Sequence, residues 1–314
     1  MKTIKITLMA FLALALTTSV YAQQRITKTF SGVQNINLTT ASGNGIIKRS
    51  KNSEVTVTVE YTFNEEIYKP IFNQEGTTLK VEEKFEGSRW NRGSANWTLE
   101  VPNGIDLNFR TGSGNIEASG VNINVAAKSG SGNIEVQDLE GKVSVISGSG
   151  NLALYNVKGQ HDGNTGSGSI RIDSATGDSD MNTGSGNIRL RNVSGALSMN
   201  TGSGNVIVEG IQVKGASRFN SGSGNVDVSL NGALDYDLTL GTGSGNATLD
   251  FNGADIAGQF IMEASSKNSI TAPFSFDNTS ERRNGRRYVK EAKVGNKSIL
   301  VKISSGSGRA VVRD

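Results

Sequence analysis

The residues that could do chemistry are few in this chain, which has one His and no Cys. His161 is followed by Asp162, and a Ser–His–Asp arrangement would activate a nucleophile, but nothing in the sequence places a nucleophile beside this pair. One imidazole also cannot supply the paired His ligands of a zinc site. We therefore predict no catalytic residue, no metal, no cofactor and no enzyme activity.

Calcium is the remaining metal to consider, because Asp173, Asp178 and Asp180 form a suggestive acidic cluster. A lyase could combine a calcium site of this kind with an Arg or Lys base. However, the calcium-binding β-roll needs a recurrent Asp after its Gly turn, and the repeated turn of this chain carries Asn there. A polysaccharide lyase-like enzyme therefore stays a remote alternative.

Ligand-binding residues are better indicated where the chain departs from its regular pattern. Trp90 lies in a loop-like stretch, residues 87–93, and an aromatic ring suits the apolar side of a sugar. A basic cluster around Asn284 and Gly285 could hold an anionic glycan. The predicted ligand residues are Trp90, Arg282, Arg283, Arg286 and Arg287. The structural alternatives are that the N-terminal aromatic residues plug a core and that the basic cluster is a solvated hairpin tip.

The regular pattern is a short phrase, Thr/Ser-Gly-Ser-Gly-Asn, which recurs at a fixed interval. Its second Gly occupies positions 114, 132, 150, 168, 186, 204, 224 and 245, so most intervals are 18 residues. A period this short predicts stacked coils. Apolar and polar residues alternate between the turns, as in residues 188–191, which predicts strands with one buried face. We predict an all-β fold: a parallel β-solenoid with two short strands per 18-residue coil, which we expect to be a right-handed β-helix.

The Asn that follows each turn has a structural interpretation. In a solenoid these side chains lie above one another, and stacked amides can hydrogen-bond along the axis. The predicted ladder contains Asn115, Asn133, Asn151, Asn187, Asn205, Asn225 and Asn246, with Ser169 as the one break. The alternative is a row of ligand-binding amides, which the uniform spacing disfavours because stacking is needed in every coil.

The chain divides into four parts. Residues 1–22 combine Lys2 and Lys5 with an apolar run and a small-residue cleavage site, which predicts a signal peptide. Residues 23–110 are expected to form an N-terminal β cap and first coil, residues 111–250 the regular solenoid, and residues 251–314 a C-terminal excursion and closing coil. Since 62 residues separate Gly245 from Gly308 in the last copy of the phrase, we expect the excursion to interrupt the stack.

The charge balance bears on partners and location. The whole chain has a formal charge of +3, but removing the two leader Lys leaves 30 basic against 29 acidic residues, which argues against a nucleic-acid partner. No later stretch is long and apolar enough for a transmembrane segment. We expect an exported protein, periplasmic or at the cell surface or extracellular, whose partner is an extracellular glycan or envelope component. The oligomeric state is left open.

The mature chain resembles the bacterial β-strand-repeat family of proposed adhesins, domains of unknown function, and its Bacteroidetes relative, the auto-transporter adhesin head domain. The repeated Thr-Gly-Ser-Gly-Asn-Ile carries the resemblance, together with residues 101–104 (Val-Pro-Asn-Gly), 270–274 and 302–308. The resemblance implies a pectate-lyase-like β-helix and a role in adhesion, and it supplies no catalytic residues. We therefore expect an adhesin or glycan-binding module, with a structural or stress-associated envelope protein without a small ligand as the alternative.

Overall fold

The computed structural model describes residues 23–86, 93–282 and 287–314. The N-terminal strands are β1 (Gln24–Phe30), β2 (Asn35–Thr40), β3 (Asn44–Arg49), β4 (Val55–Tyr61), β5 (Tyr68–Glu75), β6 (Thr78–Phe85), β7 (Ala95–Val101) and β8 (Asp106–Thr111). The central strands are β9 (Ile116–Ser119), β10 (Asn124–Ser129), β11 (Ile134–Glu140), β12 (Val143–Ser147), β13 (Leu152–Lys158), β14 (His161–Thr165), β15 (Ile170–Asp173), β16 (Ser179–Thr183), β17 (Ile188–Arg191), β18 (Ser194–Gly195), β19 (Leu197–Thr201), β20 (Val206–Val213), β21 (Ser217–Ser221), β22 (Val226–Leu230), β23 (Leu238–Thr242) and β24 (Ala247–Asp250). The C-terminal strands are β25 (Gly258–Ala264), β26 (Ile270–Thr271), β27 (Asn278–Arg282), β28 (Arg287–Val294), β29 (Leu300–Ser305) and β30 (Ala310–Arg313), and a 3₁₀ turn spans Lys267–Ser269.

Each repeat forms one coil, as the sequence predicts. In the coil after Gly186, β17 is followed by a bend, the short β18 and then β19, and the next Gly-Ser-Gly turn closes the circuit. Asn192 makes the bend with a φ of 52°, a left-handed conformation that Asn tolerates. The repeat therefore has one bend more than the two tight turns that the sequence indicates.

The coils stack into two parallel-dominated sheets, which confirms the β-solenoid. Sheet A follows the order β1-β4-β7-β3-β9-β11-β13-β15-β17-β20-β22-β24-β30-β26, with β18 paired to β20. Sheet B follows the order β27-β28-β25-β29-β23-β21-β19-β16-β14-β12-β10-β8-β2-β6-β5. In sheet A, Ile134 pairs with Leu152 and Leu152 with Ile170, so the 18-residue period is the register of the ladder.

The core is a column of inward side chains between the two sheets. Ile188 and Leu190 are fully buried, while Arg189 and Arg191, which alternate with them, point outward. The two-residue alternation along each strand therefore separates an aliphatic interior from two polar outer faces.

Both ends of the stack are built by chain that doubles back. At the N-terminal end, β6 pairs in parallel with β2 and β7 with β3, so a later coil lies outside the first one. The antiparallel strands β4 and β1 extend sheet A beyond β7, and β5 forms a hairpin with β6. These strands cover edges that would otherwise expose unpaired backbone groups.

The C-terminal end corrects one expectation, because the excursion does not interrupt the stack. β29 pairs directly with β23, and β30 pairs directly with β24. The intervening β25 pairs with the far side of β29, and β26 with the far side of β30. The excursion thus forms the outermost coil, and the last copy of the phrase returns beneath it. There its turn stacks on the preceding one, and the N–H of Gly306 donates to the carbonyl of Thr242 at 2.9 Å.

Among the described residues, no helix has the length and apolar character needed to cross a bilayer.

Candidate functional site

The structure describes only part of the predicted ligand site. Trp90, Arg283 and Arg286 lie outside the described residues. Arg282 is the last residue of β27, whose backbone pairs with β28 in an antiparallel hairpin. Of the predicted basic cluster, the structure therefore describes only Arg282 and Arg287, which pair through their backbones in the outermost strands of sheet B.

Two cationic side chains of this hairpin, Arg287 and Lys290, are engaged within the protein. The Nη1 of Arg287 donates to the carbonyl of Ser305 at 2.9 Å and lies 3.6 Å from Oε1 of Glu263. The Nζ of Lys290 donates to the carbonyl of Ile270 at 3.0 Å, and burial, followed by Lys267, lowers the pKa of this amine. Both side chains therefore fasten the hairpin to the outermost coils.

The N-terminal aromatic residues pack into the end of the core. Trp97 and Tyr68 are buried, and both donate to the same Oε1 of Glu83, at 3.1 and 3.0 Å. Burial, and then the Glu83 carboxylate, raise the pKa of Tyr68. The Tyr68 ring also packs on Tyr61 and Phe63, with ring centroids 4.7 and 4.8 Å apart. These four rings form a plug and present no open platform for a sugar.

His161 is an inward residue of sheet B, in the column that also holds Leu197. Its side chain is fully buried, Nδ1 lies 3.1 Å from the Oγ of buried Ser179, and Nε2 has no partner among the described residues. Burial lowers the pKa of His161 to about 4. Asp162 points to the opposite face, so His161, Ser179 and Asp162 do not form a triad.

The acidic cluster is also divided by the fold. Asp173 ends β15 in sheet A, where its Oδ2 pairs with Arg171 at 3.3 Å, while Asp180 lies in β16 of sheet B. Within residues 23–86, 93–282 and 287–314, no group of three or more His, Cys, Asp or Glu could hold a metal ion.

The Asn residues after the turns form a ladder, but with a different hydrogen bond from the expected amide stack. The backbone N–H of each residue donates to the side-chain oxygen one coil earlier. For example, Asn133 donates to Oδ1 of Asn115 and Asn151 donates to Oδ1 of Asn133, both at 2.8 Å. Ser169 continues the ladder, because Asn187 donates to its Oγ at 3.3 Å.

A second ladder was missed from the sequence, and it uses the hydroxyl that opens each phrase. The buried Thr183 donates to the carbonyl of Gly168 in the preceding coil at 2.8 Å and accepts from the N–H of Gly186 at 3.1 Å. The same pair of bonds recurs at Thr111, Ser129, Ser147, Thr165, Thr201, Ser221, Thr242 and Ser305. The restriction of this position to Thr or Ser was the available signal. Both turn ladders are structural.

The outer face of sheet B carries a polar furrow. Three open cavities of about 410, 180 and 180 Å³ follow one another across this face. The first shares Ser144 with the second, and the second shares Asp162 and Asp180 with the third. The outward side chains lining the furrow are Asn35, Asn37, Thr78, Asp106, Asn108, Asn124, Ala126, Lys142, Ser144, Ile146, Gln160, Asp162, Asn164, Asp178, Asp180, Asn182, Ala196, Ser198 and Ala216.

The polar groups of the furrow are only partly paired within the protein. Asn124 Nδ2 donates to Oδ1 of Asp106 at 2.7 Å, and Asn182 Nδ2 donates to Oδ1 of Asp180 at 3.0 Å. In the furrow, several side chains have no hydrogen-bond partner among the described residues: Asn35, Asn37, Asn108, Ser144 and Asn164. These amides and hydroxyls are free to bind a ligand, and the arrangement favours binding over catalysis.

Comparisons with known proteins place this chain in a family. The family model described as Toastrack DUF4097 matches residues 33–272. Solved structures with some similarity to this chain include a proposed adhesin from Parabacteroides merdae (12% identity, TM-score 0.43, 74% of this chain and 89% of that chain), a proposed lipid-binding protein from Parabacteroides distasonis (13%, 0.41, 93% and 96%) and a proposed adhesin from Bacteroides fragilis (12%, 0.36, 94% and 99%). None of the curated proteins matches the chain.

Proposed function

Since the chain belongs to the Toastrack DUF4097 family, we propose that it is an exported, non-catalytic binding module of adhesin type. It acts at the cell surface or in the periplasm, after removal of residues 1–22 as a signal peptide. The start of the sequence supports export, because a charged n-region precedes an apolar run and a small-residue site before Gln23.

The polar furrow of sheet B is the observation that carries this proposal. A regular solenoid needs no cavity on its outer face and gains nothing from leaving half-buried amides such as Asn37 and Asn108 without partners. Amide side chains carry both donors and acceptors, which suits a ligand rich in polar groups. The single imidazole of the chain is enclosed in the core, so the furrow offers binding groups without a general acid or base of that type.

Two measurements test the proposal. A fusion of the full chain to a C-terminal reporter should appear outside the cytoplasm, with Gln23 as its new N-terminus. The purified mature chain should then sediment with a washed envelope fraction in a saturable manner. A fusion that stays in the cytoplasm with residues 1–22 still attached would contradict export. Sedimentation that does not saturate would favour a structural envelope protein without a specific ligand.

The hairpin formed by β27 and β28, called the basic hairpin, is a second proposed contact surface, for an anionic envelope component. Replacing Arg282, Arg283 and Arg286 together by Ser should weaken binding to an anionic glycan such as polygalacturonate, and binding by the unaltered chain should fall with salt. Arg287→Ser is a poor test because this side chain pairs with Glu263 inside the protein. Equal binding by the triple variant would remove the hairpin from the proposed interface.

A further inference from the structure

The furrow runs across the strands, along the axis of the solenoid. Its lining begins at Thr78 in β6 and ends at Ala216 just before β21, so it crosses eight adjacent strands of sheet B and reaches the start of the ninth, β21. With neighbouring strands about 4.8 Å apart, eight spacings give a length of about 38 Å. A site this long and open fits an extended, linear ligand better than a small molecule, which would require an enclosing pocket.

The backbone of these strands takes no part in recognition at this site. Each strand along the furrow already lies between two paired neighbours, so its N–H and C=O groups are used in the ladders. An extended peptide that adds to a sheet requires an unpaired edge. The ligand must therefore be recognised by side chains alone, mostly amides, carboxylates and hydroxyls.

The charge of the furrow selects against polyanions. From Ser144 to Ala216 the lining contains Asp162, Asp178 and Asp180 and no Lys or Arg. None of these three carboxylates forms an ion pair with another described residue, so their negative charge is not neutralised locally. A phosphate- or carboxylate-bearing polymer would be repelled along this half of the furrow.

We propose that the polar furrow binds an uncharged, extended polysaccharide that runs along the solenoid axis. Sugar hydroxyls both donate and accept hydrogen bonds, as the unpaired amides of Asn37 and Asn108 do. The carboxylates of Asp162 and Asp180 accept further hydroxyl donors, and such charge-assisted bonds are the stronger ones. Successive coils present outward side chains every 4.8 Å or so, so an extended chain along the axis meets a new set of groups at each coil. This inference rests on the proposed binding function and specifies its ligand.

The test compares two Trp substitutions at outward Ala positions. Ala126 lies in the furrow, and Ala153 lies on the outer face of sheet A. The probes are soluble glucan, mannan and xylan, with polygalacturonate as the anionic comparison, in affinity gel electrophoresis. At least one neutral polysaccharide should retard the mature chain, and Ala126→Trp should weaken that binding by about tenfold or more because the ring fills the furrow. Ala153→Trp should bind as the unaltered chain does, and both variants should unfold at similar temperatures.

A milder variant keeps the test independent of the Trp substitution. Replacing Asn37 and Asn108 by Ala removes two unpaired amides, so affinity should fall without loss of stability. Equal retardation of both Trp variants and the double-Ala variant, or retardation by polygalacturonate alone, would overturn the inference. If no neutral polysaccharide binds while envelope sedimentation persists, the furrow inference fails and the proposed function stands. If sedimentation also fails, the binding function itself is wrong.

Discussion

At the scale of the residue, the direction in which a side chain points decides what it does. Ile188 and Arg189 are neighbours in β17, yet the first is fully buried and the second is exposed. The alternating pattern predicts this difference from sequence because one face of each strand must be dry. The chain is therefore sensitive to charge at every second position of a strand and tolerant at the positions between.

Ile188→Asp should destabilise the protein strongly, whereas Arg189→Asp should not. The first change places an unpaired carboxylate in a thin aliphatic core and should lower the free energy of unfolding by about 3 kcal/mol or more. The second removes an exposed cation whose contact with Glu209 is 3.7 Å and loosely paired. Urea unfolding monitored by circular dichroism measures both values, and equal losses would contradict the register of β17.

His161 makes stability depend on pH. Its unfolded pKa is about 6.5, and burial lowers the folded pKa to about 4. The unfolded state therefore binds a proton more readily. The contribution of the neutral imidazole is fully present above about pH 6.5 and is lost as the pH falls toward 4, by at most about 3 kcal/mol.

The control for this titration is His161→Leu, which places in the column the residue type found at position 197. Other groups titrate in both proteins, so the difference in unfolding free energy between them isolates the imidazole. That difference should change between pH 6.5 and pH 4 and stay constant above pH 7. A difference that does not vary with pH would mean that His161 is not held neutral in the folded protein.

At the scale of the element, the turn is what makes coils stack. Each Gly-Ser-Gly lies so close to the preceding turn that a Cβ at Gly186 would collide with the carbonyl oxygen of Gly168. The side chains on either side of the turn then connect coils, through Asn to a backbone N–H and through Thr or Ser to a carbonyl. The repeated phrase is thus one hydrogen-bonded unit.

Thr183→Val tests the hydroxyl ladder with little change in side-chain shape. The variant leaves the carbonyl of Gly168 and the N–H of Gly186 without their partner in a buried turn. The expected loss of stability is about 2 kcal/mol, the usual cost of unsatisfied buried groups. Ser185→Ala is the matched control, since this Ser of the same turn is exposed and should have almost no effect. Comparable losses in the two variants would show that the hydroxyl bonds do not stabilise the turn.

The elements also show how far the sequence could go. The fixed period and the alternation of apolar and polar residues, as in residues 188–191, predict coils, strands and buried columns. These features depend on the local sequence pattern alone. The bend at Asn192 was not predicted, although Asp138 and Asn156 stand at earlier places of the same period and have φ values of 50° and 49°. Residue types that tolerate a left-handed backbone, read with the period, were the available signal.

At the scale of the whole molecule, the order of coils could not be predicted from the sequence. The local sequence pattern predicts that β29 and β30 form a coil. It does not show that this coil pairs with β23 and β24, because that depends on which strand edges are complementary in the folded protein. The family resemblance was predicted and is confirmed by the match over residues 33–272. The furrow was not predicted, because it arises from outward side chains that are far apart in sequence and adjacent only after stacking.

One edge of sheet B carries a residue that disfavours growth into fibres. At the N-terminal end of sheet B, the outermost strand β5 contains Pro70, which has no N–H to offer to another strand. At the other end of that sheet, β27 of the basic hairpin is outermost.

The central claim is that the outer face of sheet B, and not that of sheet A, meets the ligand. Two Ile residues of similar exposure report on these faces: Ile146 in the furrow is 41% exposed, and Ile46 on sheet A is 44% exposed. Hydroxyl-radical footprinting with mass spectrometry would measure the oxidation of both with and without the best neutral polysaccharide. We predict that the ligand protects Ile146 and leaves Ile46 unchanged. Protection of Ile46 with no protection of Ile146 would contradict the account.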